Sequence, residues 1–457
     1  MRNHKKFLPL FFLLLAAAFA ETARPDIDNV ANEALTATGV PSASVSIVEN
    51  GKISYAKAYG KARLDPATPA ESQMRYAIGS ISKQFTATAI LMLQEEGKLT
   101  LDDHVDKYVP GLTRGNEVTI RELLSHTSGY QDFWPQDYVP PMMLEPVSVQ
   151  KILDLWARKP LDFDPGTKWQ YSNTNYAIAG LIVEKVSGTP FFDFIQNRIF
   201  KPLGMHSVAD VNLSKLNTTD ATGYFRYALG PPRVAPKEGK GWLFAMGELA
   251  MTAEDLQKWN ISIINETLLK PASYKELETE VLLKDGSPTG YALGISVARR
   301  NGHRVLQHGG EVSGFTATSM ILPDDHVAIV VLTNQDAAEA SGLIARGIAD
   351  KLLQSKSDPK QDALVEQVLR DLAKGKIERG LFTDNANAYF DDQALHDYAA
   401  SLGPLGKPVA VSQSGTSLRG GMTYRSYTAK YAKKALTLSI FEMPDGKIEQ
   451  FIIRPQE

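Results

Sequence analysis

Not one of the 457 residues is a cysteine, which removes disulfide scaffolds, thiol catalysis, a lipidated N-terminal cysteine and Cys-ligated zinc or iron–sulfur sites. Also missing are H-E-x-x-H, H-x-H, G-x-S-x-G, G-x-G-x-x-G and a Walker loop. The common metal, elbow-hydrolase and nucleotide readings thereby lose their main support, and no cofactor or metal is expected. Neither sign of charge dominates: 49 Lys and Arg face 52 Asp and Glu, for a formal net charge of −3. That balance calls for no nucleic acid and no anionic lipid as partner. Beyond residue 20 no apolar run reaches the roughly 20 residues of a membrane span. What the chain does have, 43% hydrophobic and 22% charged residues, is the profile of a globular protein long enough for two or three units.

Residues 1–20 stand apart. Arg2, Lys5 and Lys6 precede an apolar run from Phe7 to Phe19, ending in Ala18-Phe19-Ala20, the layout of a secretory signal. Its removal takes three basic and no acidic residues, moving the formal charge from −3 to −6. A cysteine-free exported protein is expected to be periplasmic or secreted, with no membrane span once the signal is cleaved.

After the signal, Ala43 to Val48 alternates small or polar with apolar residues, and Asn50-Gly51 is a hairpin turn between two strand-like runs. The mature chain is therefore expected to open on antiparallel strands. A helix is predicted from Ser80 to about Glu96, followed by helices at Ile120–Leu124, Val149–Ala157, Asn175–Val186 and Ala253–Ile264. Strand character returns at Gly290–Arg300, His303–Gln307, Thr316–Leu322 and His326–Thr333, before a helix near Ala337–Leu353. Strands, helices, strands and a closing helix predict an α+β sandwich: one antiparallel sheet completed from both chain ends, with a helical subdomain between. The polar stretch Gln354–Lys360 reads as a linker. Beyond it, helices at Gln361–Lys374 and Asp391–Leu402 and four strands between Val409 and Ile453 predict a small C-terminal α+β domain. The expected division is a signal at 1–20, a catalytic domain at 26–355 and an accessory domain at 360–457.

Chemistry enters with Ser80-Ile81-Ser82-Lys83, where one turn of helix separates a serine from a lysine and lets the amine sit against the hydroxyl. The partial positive charge and free N–H groups of a helix start favour loss of the lysine proton and offer a donor to an oxyanion. S-x-x-K recurs at Ser54/Lys57, Ser148/Lys151 and Ser357/Lys360. Ser54 falls on a strand, where positions i and i+3 face opposite ways, Ser357 falls in the linker, and Ser148 reads as a helix N-cap. Ser80 taken alone also reads as an N-cap. Two further motifs occur once each: Tyr171-Ser172-Asn173 is the only Y-x-N among 17 tyrosines, and His308-Gly309-Gly310, at the end of a predicted strand, is the only H-x-G among eight histidines.

In this order the three motifs resemble those of the serine hydrolases of the class C β-lactamase and penicillin-binding-protein superfamily, over about residues 30–355. Wider phrases match too: Tyr76–Thr86, Leu123-Leu124-Ser125-His126-Thr127-Ser128-Gly129, Tyr171–Tyr176, and Gly247 with Thr252–Leu256. The resemblance implies a β-lactamase/transpeptidase-like sheet flanked by helices, and it implies roles. Ser80 would be the acylated nucleophile, and Lys83 and Tyr171 would share the proton transfers, with Tyr171 favoured as the base or proton shuttle towards the leaving group. Asn173 would orient Lys83 and contact the acyl group. Backbone N–H groups of Ser80 and Glu311 would form the oxyanion hole, with His308 and Gly310 contributing the third motif to substrate binding.

The chain departs from the antibiotic-hydrolysing pattern at that third motif. His308 is largely neutral at pH 7 when unperturbed, Gly309 has no hydroxyl, and Glu311 adds negative charge. A substrate carboxylate is thus expected to find weak anchors. His126 is expected to be part of a structural turn; Phe133, Trp134, Trp169 and Trp242 are candidates to line an acyl pocket, though packing explains aromatics equally; His206, His326 and His396 are isolated. The expected activity is hydrolysis of a small-molecule ester, amide or D-peptide through an acyl-enzyme. A true β-lactamase is the runner-up, and a slow-turnover penicillin-binding or peptidoglycan-sensing protein is the alternative of another class.

Overall fold

The computed structural model describes residues 24–214, 216–300, 302–353 and 359–455. The expected signal at 1–20, most of the linker and Asn301 of a predicted turn lie outside the described residues. The first element among the described residues is a helix, Pro25–Thr38, where the sequence reading placed none. Pro25 sits in its first turn, Asp26 and Asp28 complement the positive helix end, and Ile27, Ala31 and Ala34 form its buried face, an i, i+4, i+7 stripe too small-sided to stand out in the sequence.

The hairpin Ser42–Glu49/Lys52–Leu64 follows as expected, with Asn50 and Gly51 both left-handed at φ 54° and 72°. These strands belong to a seven-stranded antiparallel sheet running, by residues, 67–69, 52–64, 42–49, 327–333, 315–322, 303–312 and 296–300. Its centre pairs the beginning and end of this unit, Val45 opposite Val331. Seven of the eight residues of Ser42–Glu49 are buried, because both faces are covered. On one face Ile27, Ala31, Ile344 and Ile348 pack against Val45, Ile47, Ile329 and Val331. On the other lies the larger core, which includes the helices Lys83–Glu95 and Ala253–Ile264. Lys83–Glu95 is buried from Lys83 to Leu93 all round its circumference, so it runs through the core rather than along its surface.

Two strand boundaries differ from expectation. Gly290 and Gly294 have φ of 66° and 77°, so the chain turns there and the strand shrinks to Ser296–Arg300. Conversely, His303–Val312 does not end at His308-Gly309-Gly310: Gly309, Gly310 and Glu311 pair with Thr318, Ala317 and Thr316. Gly310, which has no side chain, lets this strand press against the turn that carries Ser80.

The C-terminal residues build a second antiparallel sheet, ordered 410–419, 422–431, 434–442 and 448–455. Helices Pro359–Leu372 and Asp392–Leu402 match the sequence pattern, and a short helix Asp384–Tyr389 adds to it. Val368, Leu372, Phe382, Phe390, Tyr427, Leu438, Ile440 and Phe451 form its own core. The architecture is α+β, with antiparallel sheets flanked by helices.

Candidate active site

Ser80 occupies a 3-10 turn, Gly79–Ser82, that leads directly into Lys83–Glu95. The N-cap reading of Ser80 fails: the cap position of that helix is Ser82, and no side chain caps there. Ser148, by contrast, does cap its helix, accepting from Lys151 N. The Ser80 hydroxyl is left to meet Lys83 Nζ at 2.9 Å and Tyr171 Oη at 2.7 Å.

Lys83 is fully buried, and its Nζ also lies 2.8 Å from Asn173 Oδ1 and 2.9 Å from the Met246 carbonyl. Burial, rather than the helix start invoked from the sequence, lowers its pKa to about 7, against an opposing pull from Asp132. Near neutral pH a large fraction of the amine is therefore uncharged. A neutral amine has two N–H donors and one lone pair. Asn173 Oδ1 and the Met246 carbonyl can only accept, so they take both N–H groups, and the lone pair faces the Ser80 O–H. Burial pushes the Tyr171 phenol well up, so it remains protonated and donates to Ser80 Oγ instead of standing as the base that the resemblance implied.

The opposite wall is backbone. A Cβ on Gly310 would lie 1.8 Å from the Ile78 carbonyl and 3.2 Å from Ser80 N, and one on Gly79, itself at φ +50°, would lie 2.6 Å from Glu311 N. Only glycine permits so close an approach, and the approach sets the main chain at Ser80 beside that at Glu311.

His308 lies in this wall with its polar atoms turned into the protein. Its Nδ1 meets the carbonyl of Gly309 at 2.5 Å, which requires a proton on Nδ1, and its Nε2 then accepts from Tyr291 O–H at 2.7 Å. Burial lowers its pKa to about 4. It is a neutral, internally satisfied ring, not a cation facing the cleft. His126, as expected, is structural: it is fully buried, stacks 4.3 Å from the Tyr171 ring and accepts from Ser172 N at 3.2 Å.

A cleft of about 710 Å³ opens above Ser80, bordered by Tyr171, Asn173, Met246, His308, Gly310 and Glu311 among others. Every predicted site residue is brought to this one place. Of the four candidate aromatics, only Trp134 borders the cleft; Phe133 and Trp242 stack with each other in the core, and Trp169 packs on His126 and Tyr291. The cleft also gathers Asp137, Glu311, Asp336 and Glu339, together with Arg346, which lies 3.6 Å from Glu339. Burial raises the Glu311 and Asp336 pKa values, and Asp336 adds to the rise at Glu311. Sequence reasoning missed Asp132, Met246 and Tyr291; the only available signal was their nearness to the His126–Gly129 and Gly247 phrases and to the His308 strand. Among the described residues no cluster of His, Asp or Glu is arranged to hold a metal.

The chain is similar to known proteins in sequence and in fold. A family model described as Beta-lactamase matches residues 27–353. Protein flp of Staphylococcus aureus is 29% identical over 332 residues, covering 70% of this chain but only 65% of its own length; the chain thus spans just under two thirds of that curated relative. Among solved structures, a D-stereospecific amidohydrolase from Streptomyces sp. superposes with a TM-score of 0.63 at 28% identity, over 70% of this chain and 97% of its own. The octameric penicillin-binding protein homologue of Pyrococcus abyssi, at 22% identity, shares the fold with a TM-score of 0.65 over 95% of this chain and 96% of its own.

Proposed function

From the premise that this chain belongs to the Beta-lactamase family, we propose that it is an exported serine hydrolase that cleaves a small ester, amide or D-peptide through an acyl-enzyme. The observation that carries the proposal is the buried Lys83 amine, held by two acceptor-only groups with its remaining position on Ser80 Oγ at 2.9 Å. Ser80 Oγ attacks the acyl carbon while its proton passes to Lys83. The amides of Ser80 and Glu311 receive the developing oxyanion. The bond to the leaving group breaks as Lys83 and Tyr171 pass a proton on to it. Water then attacks the Ser80 ester and releases the acid, restoring the hydroxyl. Asn173 orients Lys83 and meets the acyl group, and His308 and Gly310 shape the wall beside it. Residues 26–355 carry this chemistry, and residues 360–457 form an accessory unit with a packing or dimerising role.

The nature of the third motif narrows the substrate. His308 is neutral with both ring nitrogens engaged, and Glu311, Asp336 and Asp137 border the cleft, so a carboxylate is poorly received there. This favours esters, amides and peptides whose recognition does not depend on a carboxylate, in keeping with the named activity of the Streptomyces relative. One observation favours the β-lactamase reading instead: Arg346 borders the cleft, and its ion pair with the exposed Glu339 is long, 3.6 Å, so a substrate carboxylate could displace Glu339 from the guanidinium.

The deciding experiment compares the protein with its Ser80→Ala variant on p-nitrophenyl butyrate and on nitrocefin. Ser80-dependent ester cleavage with little nitrocefin turnover is expected. Efficient nitrocefin turnover that is lost in Arg346→Ala would make the chain a β-lactamase, and a stable fluorescent-penicillin adduct without turnover would make it a binding protein. Cell fractionation tests export: activity in the cytosolic fraction alone would refute it.

A further inference from the structure

The carboxylate of Asp132 is not among the residues that the three motifs supply, yet it contacts the one side chain that aims Lys83. Asp132 Oδ1 accepts the backbone N–H of Asn173 at 2.9 Å and that of Trp134 at 3.2 Å. Its Oδ2 faces Asn173 Nδ2 at 3.4 Å. Asn173 thus has its N–H₂ toward a carboxylate and its Oδ1 toward Lys83 Nζ at 2.8 Å.

Only one of the two amide orientations of Asn173 suits catalysis. Turned by 180°, the amide would set its oxygen against Asp132 and its N–H₂ against Lys83, where it would donate to the amine's lone pair. That lone pair would then be lost to Ser80. An acceptor-only carboxylate opposite Nδ2 forbids the turned state, since two oxygens would then face each other with no hydrogen between them. We propose that Asp132 is a positioning residue: by fixing the amide of Asn173, it keeps the lone pair of Lys83 directed at Ser80. This rests on the serine-hydrolase reading above.

The charge of Asp132 acts in the same place. The other ionisable groups facing Lys83 are the rings of Tyr171 and Tyr176, 5.0 Å and 5.5 Å from Nζ, together with His126 and His308. The two tyrosines are held protonated and the two histidines neutral by burial. Asp132 is the group that opposes the lowering of the Lys83 pKa. Removing its charge lowers that pKa further.

The test uses the full chain with Asp132→Asn, Asp132→Ala and Ser80→Ala, following kcat and KM for p-nitrophenyl butyrate from pH 5 to 9.5 alongside the melting temperature. In Asp132→Asn the introduced amide keeps the volume and can still accept the two backbone N–H groups, but it sets an N–H₂ against Asn173 Nδ2 and so favours the turned amide. Expected for Asp132→Asn is a kcat lower by about 10²-fold, the scale of a misdirected catalytic group, with KM little changed and the acidic limb of kcat moved to lower pH. Wild-type kcat and an unchanged limb in Asp132→Asn would overturn the proposal, as would activity loss in both Asp132 variants that merely tracks a fallen melting temperature with the limb in place. If Ser80→Ala retained full activity, the serine-hydrolase reading itself would fall, whatever the Asp132 variants did.

Discussion

The wall around Ser80 and the C-terminal sheet differ in what they bury. Around Ser80, within a few residues of the reacting atoms, lie Lys83, His126, Ser172, Asn173 and His308, each at most 7% exposed. In the C-terminal unit the polar side chains buried among the described residues are Gln361 and Gln413, both uncharged, and Phe390, Tyr427, Leu438 and Ile440 fill its interior. Burying an amine costs free energy that packing leucine and phenylalanine does not. The cleft is thus organised for chemistry at the expense of stability, and the C-terminal unit for stability. Substitutions in the first region are expected to act on turnover and on pH dependence, and those in the second on melting alone.

The largest effect belongs to Ser80→Ala. Removing a nucleophile that acts as a unit with its base is expected to lower kcat by at least on the order of 10³-fold, with little change in melting temperature because the hydroxyl fills no core space. Turnover at the wild-type rate would show that the buried amine is not arranged to activate Ser80 and would erase the contrast between the two regions.

Gly310→Ala follows. With 1.8 Å between a Cβ there and the Ile78 carbonyl, strand and turn must separate, pulling the Glu311 amide away from Ser80. A loss in kcat of about 10²-fold is expected. Gly446→Ala in the C-terminal unit, with no atom within 4 Å of its Cβ and a φ of +86°, should cost only some stability, about 1–2 kcal/mol, and leave hydrolysis untouched. Equal effects on kcat from the two would refute the assigned oxyanion wall.

The pH profile sharpens the comparison further. The proposed mechanism needs Lys83 neutral, so with a pKa of about 7 kcat/KM should fall roughly tenfold per unit as pH drops below that value. Stability moves the same way. In the unfolded chain the lysine titrates near its ordinary value of about 10.4, so between pH 7 and 10 the unfolded state binds more protons and folding strengthens as pH rises. Lys83→Met, inactive but free of the buried amine, should melt above wild type, by most below pH 7, with the gap closing toward pH 10. A gap independent of pH would show that the amine is not titrating in that range.

How much of this was legible in the sequence follows the reach of each interaction. Ser80 and Lys83 lie one turn apart, so their meeting is a local fact, and the strands of the sheet announced themselves through the Asn50-Gly51 turn and apolar alternation. The groups that aim them do so through space: Asp132 lies 41 residues before Asn173, Met246 acts through a carbonyl that no side-chain pattern reports, and Tyr291 reaches His308 across the sheet edge. His308 itself was legible as a position but not as a state. Its neutrality comes from burial and from the Gly309 carbonyl, neither of which a motif encodes. The strand boundary at Gly309-Gly310 misleads for a related reason, since glycine reads as a strand breaker and here Gly310 lets the strand continue against the Ile78–Ser80 turn.

The smallest expected effect on turnover tests the C-terminal side of the comparison. Leu438 is fully buried in the strand Lys434–Glu442, opposite Tyr427 and Ile453. Leu438→Ala removes three carbons from a core that shares no residue with the two cores on the faces of the seven-stranded sheet. It should destabilise that unit by about 2–5 kcal/mol, visible as an earlier melting step, while kcat/KM at 25 °C stays within about twofold, the range of a site whose geometry is untouched. If hydrolysis instead declined in step with that early transition, the accessory unit would be holding the cleft in shape, and the division of labour between the two regions would have to be redrawn with the C-terminal sheet as part of the catalytic scaffold.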